Sequence, residues 1–221
     1  MINYYSYNNP LTRIRTKVSY KARCRIFNLF METMKPEKSN KILDLGVTPD
    51  QKLTESNFFE KMYPYPDSLT IASVEDCEFL VSKYKLKSFV KNNPGERLPF
   101  SDEEFDILFS NAVIEHVGDR ADQKFFLKEC CRVAKQVFVT TPNRYFPIEM
   151  HTFIPLLHWL PRGIFQKIVK IIKGKDGEFW ANTNHLNLLS KSDIMKMGGL
   201  EVGFIRTLGF KSNLIIMKKS G

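Results

Sequence analysis

Cysteine is scarce in this sequence: Cys24, Cys77, Cys130 and Cys131 are the whole complement among 221 residues. Four thiols at these spacings suit neither a disulfide framework nor a zinc knuckle, so reduced thiols in a cytoplasmic setting are expected. Long apolar runs are also missing. The longest, such as Ile154–Leu160, fall far short of the ~20 residues that a bilayer span requires, and no transmembrane segment is expected. The polar, tyrosine-rich stretch Met1–Pro10 predicts no secretory leader. No glycine loop runs into Gly-Lys-Ser/Thr, which argues against nucleoside triphosphate hydrolysis, and Gly-x-Gly-x-x-Gly spacing is absent. Repeats and low-complexity tracts are lacking too.

What is present is the composition of one globular domain, 43% hydrophobic and 26% charged. A chain of this length buries roughly 70–75% of its unfolded surface and needs no staple. The net charge is +9, and it is patchy. Arg13, Arg15, Lys17, Lys21, Arg23, Arg25, Lys35, Lys38 and Lys41 crowd the N-terminal region over residues 12–36 and just beyond. Arg162, Lys167, Lys170, Lys173 and Lys175 form a second patch, whereas residues 96–115 are acidic by comparison. Such asymmetry suits an anionic partner or surface.

Hydrophobic periodicity predicts a helix over 18–34, with Ala22, Ile26, Phe27, Phe30 and Met31 on one face. Strands are predicted at 41–46, 68–75, 87–91, 105–110 and 136–141. Helices are predicted at 56–63 (capped by Ser56 or Asn57), 76–84 and 121–134. This alternation implies a parallel sheet with helices on both faces. The segment 151–173 is expected to give two short helices, and 190–197 one more. Strands at 201–208 and 210–218 are joined too tightly for a parallel crossover, so they form an antiparallel hairpin at a sheet edge. The expectation is therefore an α/β fold of five parallel strands plus a C-terminal antiparallel hairpin. It is read as a single domain over 1–221, with residues 152–187 as an inserted helical cap.

Ligands of open α/β sheets sit beyond the carboxyl ends of the strands. Asp44 and Gly46 end the first strand, Glu75 and Asp76 the second; Asn92 and Asn93 follow the third, and residues 111–116 the fourth. An acid closing the second strand is suited to accept hydrogen bonds from both hydroxyls of a ribose. Gly46 allows a ligand close to the backbone.

Lys41-Ile-Leu-Asp-Leu-Gly46, Glu75 and the block from Leu98-Pro-Phe through Phe105-Asp to Val113-Ile-Glu-His-Val117 resemble the class I S-adenosylmethionine-dependent methyltransferases. The resemblance is firm over residues 41–143. It is greatest to a bacterial subgroup bearing Gly-Val-Thr-Pro-Asp and Pro-Asn-Arg-Tyr/Trp-Phe-Pro followed by His-Thr, whose acceptors are largely unassigned. It implies a Rossmann-like fold and S-adenosylmethionine as cofactor. By position it puts Asp44 near the methionine amino group, Gly46 beside the carboxylate or ribose, and Glu75 on the ribose hydroxyls. Asp76 flanks the adenine, Asn93 reads its amine, and Asn111 with Ala112 lines the floor under the sulfonium. The family's first loop carries three alternating glycines. Here Thr48 and Asp50 replace the later two and Pro49 stiffens the turn, so Thr48 hydroxyl contacts are expected instead.

Methyl transfer depends chiefly on holding the acceptor in line behind the S–CH3 bond, and a hydroxyl acceptor gains from a base within reach. His151, with Glu149 two residues before it, is the expected base, and His116 a further catalytic candidate. His158, between Leu157 and Trp159, is expected to be packing. Some related methyltransferases hold a metal through Glu-x-x-Glu-His and a later histidine. Ala112 stands in the first glutamate's place, so no metal is expected, although Glu115, His116, Glu149 and His151 would make a mixed oxygen and nitrogen set. The cap, with Lys167, Lys170 and Lys173 among aliphatic residues, is expected to close the acceptor pocket or to touch a membrane surface. The expected activity is methyl transfer to oxygen or nitrogen of a small-molecule or glycan/lipid-linked acceptor. An RNA or polyanion acceptor for the N-terminal basic helix is the alternative, as is a catalytically silent interaction module.

Overall fold

The computed structural model describes residues 10–53, 55–149, 151–152, 154–182, 185–198, 200–207 and 209–219. Met1–Asn9, Phe153 and Leu208, and the side chains of residues 10–15 and 17, lie outside the described residues, although parts of the sequence reading fell on them. The strands are β1 (Ile42–Leu45), β2 (Leu69–Ser73), β3 (Ser88–Lys91), β4 (Phe105–Asn111), β5 (Ala134–Pro142), β6 (Glu201–Thr207) and β7 (Phe210–Lys218). Within the first unit the strand order is β3-β2-β1, and within the second β4-β5-β7-β6. Pairing is parallel for β1 with β2, β2 with β3 and β4 with β5. It is antiparallel for β5 with β7 and β7 with β6. This is the expected α/β fold, with the closing hairpin at an edge.

The chain divides into two compact units, Met1–Lys91 and Asn92–Gly221. In the first, α1 (Pro10–Met34) starts well before Val18, at a proline, whose fixed φ suits the first helical turn. Among the described side chains Ile26, Phe27, Phe30 and Met34 are buried apolar residues, a helical stripe in which each contributes ~1.5–3 kcal/mol of burial. Phe27 and Phe30 meet Phe59 of α2 (Phe58–Met62) edge-on, with ring centroids 5.8 and 5.1 Å apart. The expected cap of α2 does not form. Asn57 is left-handed (φ 51°) and bonds the backbone of Thr48, while the Ser56 hydroxyl donates to Asp50. Both side chains are spent on closing the loop after β1. Similarly, α3 (Phe79–Tyr84) begins later than predicted, because Asp76 accepts from the Glu78 N–H in a local turn.

In the second unit, stacked Phe109 and Phe138 and the buried Leu214, Ile215 and Ile216 fill the centre of β4, β5 and β7. α4 (Arg120–Val133) starts on a capping box. Asp119 accepts from the N–H groups of Ala121 and Asp122, and Asp122 accepts from the N–H of Asp119. After β5 the expected pair of short helices resolves into a single 3-10 turn at Leu157–Trp159 and the longer α5 (Arg162–Lys173). Pro161 sets the N-cap of α5, so the first proline-bounded piece is too short for an α-helix. α6 (Lys175–Ala181) packs on α5 so closely that a Cβ on Gly177 would lie 2.2 Å from the Val169 carbonyl oxygen. α7 (Lys191–Met197) opens on a Ser190/Asp193 capping box.

Candidate active site

In the first unit, the ends of β1 and β2 are fastened together. The Gly46 N–H donates to Ala72, and the Ser73 hydroxyl donates to the Val47 carbonyl at 2.8 Å. Gly46 is exposed at φ 104°, a conformation a side chain would strain. The loop beyond it closes on itself. The Thr48 N–H donates to Asn57 Oδ1, and Thr48 Oγ1 accepts from the Asp50 N–H. Glu75 is exposed at the end of β2, its N–H donating to Ser73 Oγ, and no described group bonds to its carboxylate. Asp76 is exposed beside it. Asp44 is buried, and burial followed by the neighbouring Glu60 pushes its carboxyl well above the usual range. Burial lifts Glu60 to about 7.

In the second unit, Asn93 is exposed and donates to Glu96 Oε2 at 2.8 Å. Asn111, at the end of β4, accepts from the Thr140 hydroxyl at 2.7 Å. Ala112 follows in the left-handed region (φ 57°), costly for a residue with a Cβ. It carries the chain into the 3-10 turn Ile114–His116. That turn presents Glu115, fully buried, and His116, partly exposed. The Thr141 hydroxyl donates to Glu115 Oε2 at 2.9 Å, and Oε1 is buried without a partner. His116 Nδ1 donates to the His185 carbonyl, which leaves Nε2 as the lone-pair nitrogen of the neutral ring; Nε2 is 4.0 Å from Glu115 Oε1.

Glu149 and His151 join this cluster from the segment after β5. His151 Nδ1 donates to Glu149 Oε1 at 2.6 Å, the His151 N–H to the same oxygen, and the Thr152 N–H to Oε2 at 2.5 Å. Burial works to raise the Glu149 carboxyl, but these bonds and the adjacent imidazole prevail and bring it down to about 2. The carboxylate therefore stays ionised and fixes the imidazole's tautomer and orientation. The rings of His116 and His151 meet edge-on at 5.0 Å, and Trp180 lies 4.9 Å from His151. His151, Glu149 and His116, chosen from the sequence, are thus brought together. Trp180 was missed, because nothing near it in the chain signals a histidine partner.

One ligand atom each from Glu115, His116 and His151 lies within 4.8 Å of the others. A mixed carboxylate and imidazole set of this kind suits a divalent cation. His158 is packing in part, as expected. Its Nε2 donates to the Phe146 carbonyl at 2.8 Å, and burial lowers its pKa. The cap exposes Ile164, Ile171 and Ile172 on α5. Among the described residues, no helix is long and apolar enough to cross a membrane.

Residues 70–137 match the methyltransferase domain family model. The ubiquinone biosynthesis O-methyltransferase of Rhizobium etli is 34% identical over 84 residues, 34% of this chain and 33% of that protein. The match thus spans about a third of that relative's length. A SAM dependent methyltransferase from Aquifex aeolicus covers 93% of this chain, and is itself 96% covered, with TM-score 0.50 and 14% identity. The magnesium protoporphyrin IX methyltransferase of Synechocystis, with bound SAH, covers 95%, is 86% covered, and gives TM-score 0.52 at 12% identity. The two solved structures speak for the fold, and the family model for the sequence between β2 and β5. The chain is thus similar to methyltransferase domains over residues 70–137 and shares the fold of the two solved methyltransferases.

Proposed function

We propose that this protein transfers the methyl group of S-adenosylmethionine to a hydroxyl oxygen of a small-molecule acceptor, with His151 as general base and Glu149 as its positioning residue. The observation that carries the reading is the 2.6 Å bond between His151 Nδ1 and a Glu149 carboxylate held at about 2. It gives the imidazole one orientation and a partner that offsets the charge it gains on taking a proton. His116 and Trp180 wall the same place, and the flat indole suits a planar acceptor ring. The name of the Rhizobium relative supports oxygen over nitrogen.

The residues of the first unit fit the cofactor. Gly46 leaves room beside the backbone, and the unengaged carboxylate of Glu75 suits a ribose diol. Asp44 suits the methionine ammonium, whose charge would draw its raised pKa back down. Thr48 and Asp76 are assigned supporting contacts, as are Asn93 and Asn111 in the second unit. When bound, the cofactor supplies an electrophilic methyl on a sulfonium. The protein holds the acceptor oxygen in line with it, takes the hydroxyl proton onto His151 and releases that proton to solvent afterwards.

Calorimetry with S-adenosylhomocysteine tests the cofactor part, with Glu75→Ala expected to weaken binding at least ~10-fold, the loss of a charge-assisted pair of hydrogen bonds. Radiolabelled methyl transfer to a panel of catechols and phenols tests the acceptor part. Binding of S-adenosylhomocysteine with no oxygen methylation by any member would overturn the acceptor class, whereas absence of binding at millimolar ligand would overturn the enzyme and favour an interaction module.

A second reading concerns the same cluster. The buried, unpartnered Glu115 Oε1 facing His116 favours a divalent cation held by Glu115, His116 and His151. Such an ion would supply Lewis-acid lowering of the acceptor hydroxyl's pKa. Activity abolished by EDTA and restored by Mg2+ or Mn2+ selects this reading; indifference to EDTA selects the base. Exposed Ile164, Ile171 and Ile172 beside Lys167, Lys170 and Lys173 further support peripheral contact of α5 with an anionic bilayer, and so a lipid-linked acceptor.

A further inference from the structure

A cavity of about 350 Å³ in the second unit is lined by three guanidinium groups, those of Arg120, Arg144 and Arg162. None of them was part of the methyl-transfer reading, though Arg144 belongs to the Pro142-Asn143-Arg144-Tyr145 motif. Two of the three are already fixed. Arg120 donates to Gln123, to the carbonyls of Asn187 and Leu188, and to Asp193. Arg162 donates to Asn187 Oδ1 and to the Leu186 carbonyl. The side chain of Arg144 has no hydrogen bond or ion pair with any described residue, although it is half-buried.

Negative charge on the wall balances this only in part. Asp119 is used as the cap of α4, and Asp193 forms its ion pair with Arg120 at 3.3 Å while also feeling Arg144. Burial and then the neighbouring guanidiniums lower the pKa of Arg162, which shows the cations repelling one another. Three half-buried guanidiniums gathered on one wall repel one another, a cost that an anionic ligand offsets. His158 lines the same cavity, its Nε2–H given to the Phe146 carbonyl and its Nδ1 enclosed beside the Arg144 backbone.

We propose that this cavity binds a phosphate group. A tetrahedral phosphate offers several oxygens to Arg144 and to the remaining N–H groups of Arg162, in the charge field of Arg120. A carboxylate has only two oxygens. Bidentate guanidinium contacts give such a site geometric selectivity as well as charge. The cavity is joined to the candidate active site by one segment of chain. Trp180 and the His185 carbonyl lie against the histidines, and Ala181, Leu186 and Asn187 line the cavity wall. On the methyl-transfer reading, the phosphate would be a handle on the acceptor. Phosphate binding itself does not depend on that reading.

The test is isothermal calorimetry on the full chain at low ionic strength with three probes: inorganic phosphate, glycerol 3-phosphate, and vesicles of phosphatidylcholine with phosphatidic acid. Saturable binding is expected, weakened at least ~10-fold by Arg144→Ala and unchanged by Lys170→Ala on the outer face of α5. Arg144-dependent binding of the two solutes identifies a soluble phosphate, and binding of the vesicles alone identifies a lipid headgroup; either supports the site. Circular dichroism confirms that Arg144→Ala remains folded, which its lack of internal bonds leads one to expect. Binding indifferent to Arg144→Ala, tighter binding of acetate than of phosphate, or no saturable binding of any probe at millimolar concentration would overturn the proposal. Loss of methyl transfer with phosphate binding intact would instead count against the function proposed above.

Discussion

Replacing Glu149 by Gln separates the orientation of His151 from its mere presence. In the fold the Glu149 carboxyl lies at about 2 against an ordinary 4.5, a difference of ~2.5 units or ~3.4 kcal/mol in favour of the ionised form. Glutamine keeps an oxygen for the His151 and Thr152 donors but not the charge. Neutral hydrogen bonds have about half the strength of charge-assisted ones, so the loss is ~1.5–2 kcal/mol. For a chain of this size that is a fall in Tm of roughly 3–8 °C. The sign with pH follows from the depressed pKa. The stabilisation is complete above pH ~4.5 and disappears as the pH falls through about 2. The Tm gap between the two proteins therefore persists above pH ~4.5 and narrows under acid. In the methyl-transfer assay, kcat should fall by ~10²–10⁴-fold with KM for the acceptor little changed. A variant that loses Tm as calculated yet keeps the parental kcat would refute the base assignment and leave Glu149 with a structural role.

Glu60→Gln acts in the opposite direction. A carboxyl raised to about 7 makes the parent protein lose stability as the pH climbs from ~4.5 to 7, so urea midpoints should fall over that range for the parent and stay flatter for the variant. Gly177→Ala in α6 would drive a methyl group into the Val169 carbonyl, and the expected cost is ~1–3 kcal/mol despite alanine's better helix propensity. Chemical denaturation reads it, and a stabilised variant would contradict the α5–α6 packing. Ile171→Asp, at a position 83% exposed, should leave Tm unchanged and reduce co-sedimentation with anionic vesicles. Unaltered co-sedimentation would remove α5 from any membrane contact.

Where the signal lay in neighbouring residues, the linear reading held. The apolar stripe of α1, the acid-terminated strands β1 and β2, and the tight hairpin of β6 and β7 are each encoded within a few positions, because burial imposes a period of 3.6 or 2 on the side chains that must leave water. The bounds of α7 and α4 were legible to within a residue. Capping failed at α2, where Ser56 and Asn57 are recruited by Asp50 and Thr48 across the loop, and propensity has no knowledge of such a competitor.

Chain order alone also placed Glu149 beside His151, since two residues in one turn can bond without help from the rest of the fold. What it could not place is everything reaching that pair from afar. Trp180 comes from α6, His116 from the turn after β4, and Thr141 from within β5; Arg120, Arg144 and Arg162 belong to three different segments that converge on one cavity. Local periodicity fixes which face of an element is buried, but which distant elements meet is decided by how the strands order themselves and the helices pack around them. The sequence therefore determined the sheet and its strand-end acids, while only the tertiary structure assembled the histidine cluster and the arginine cavity.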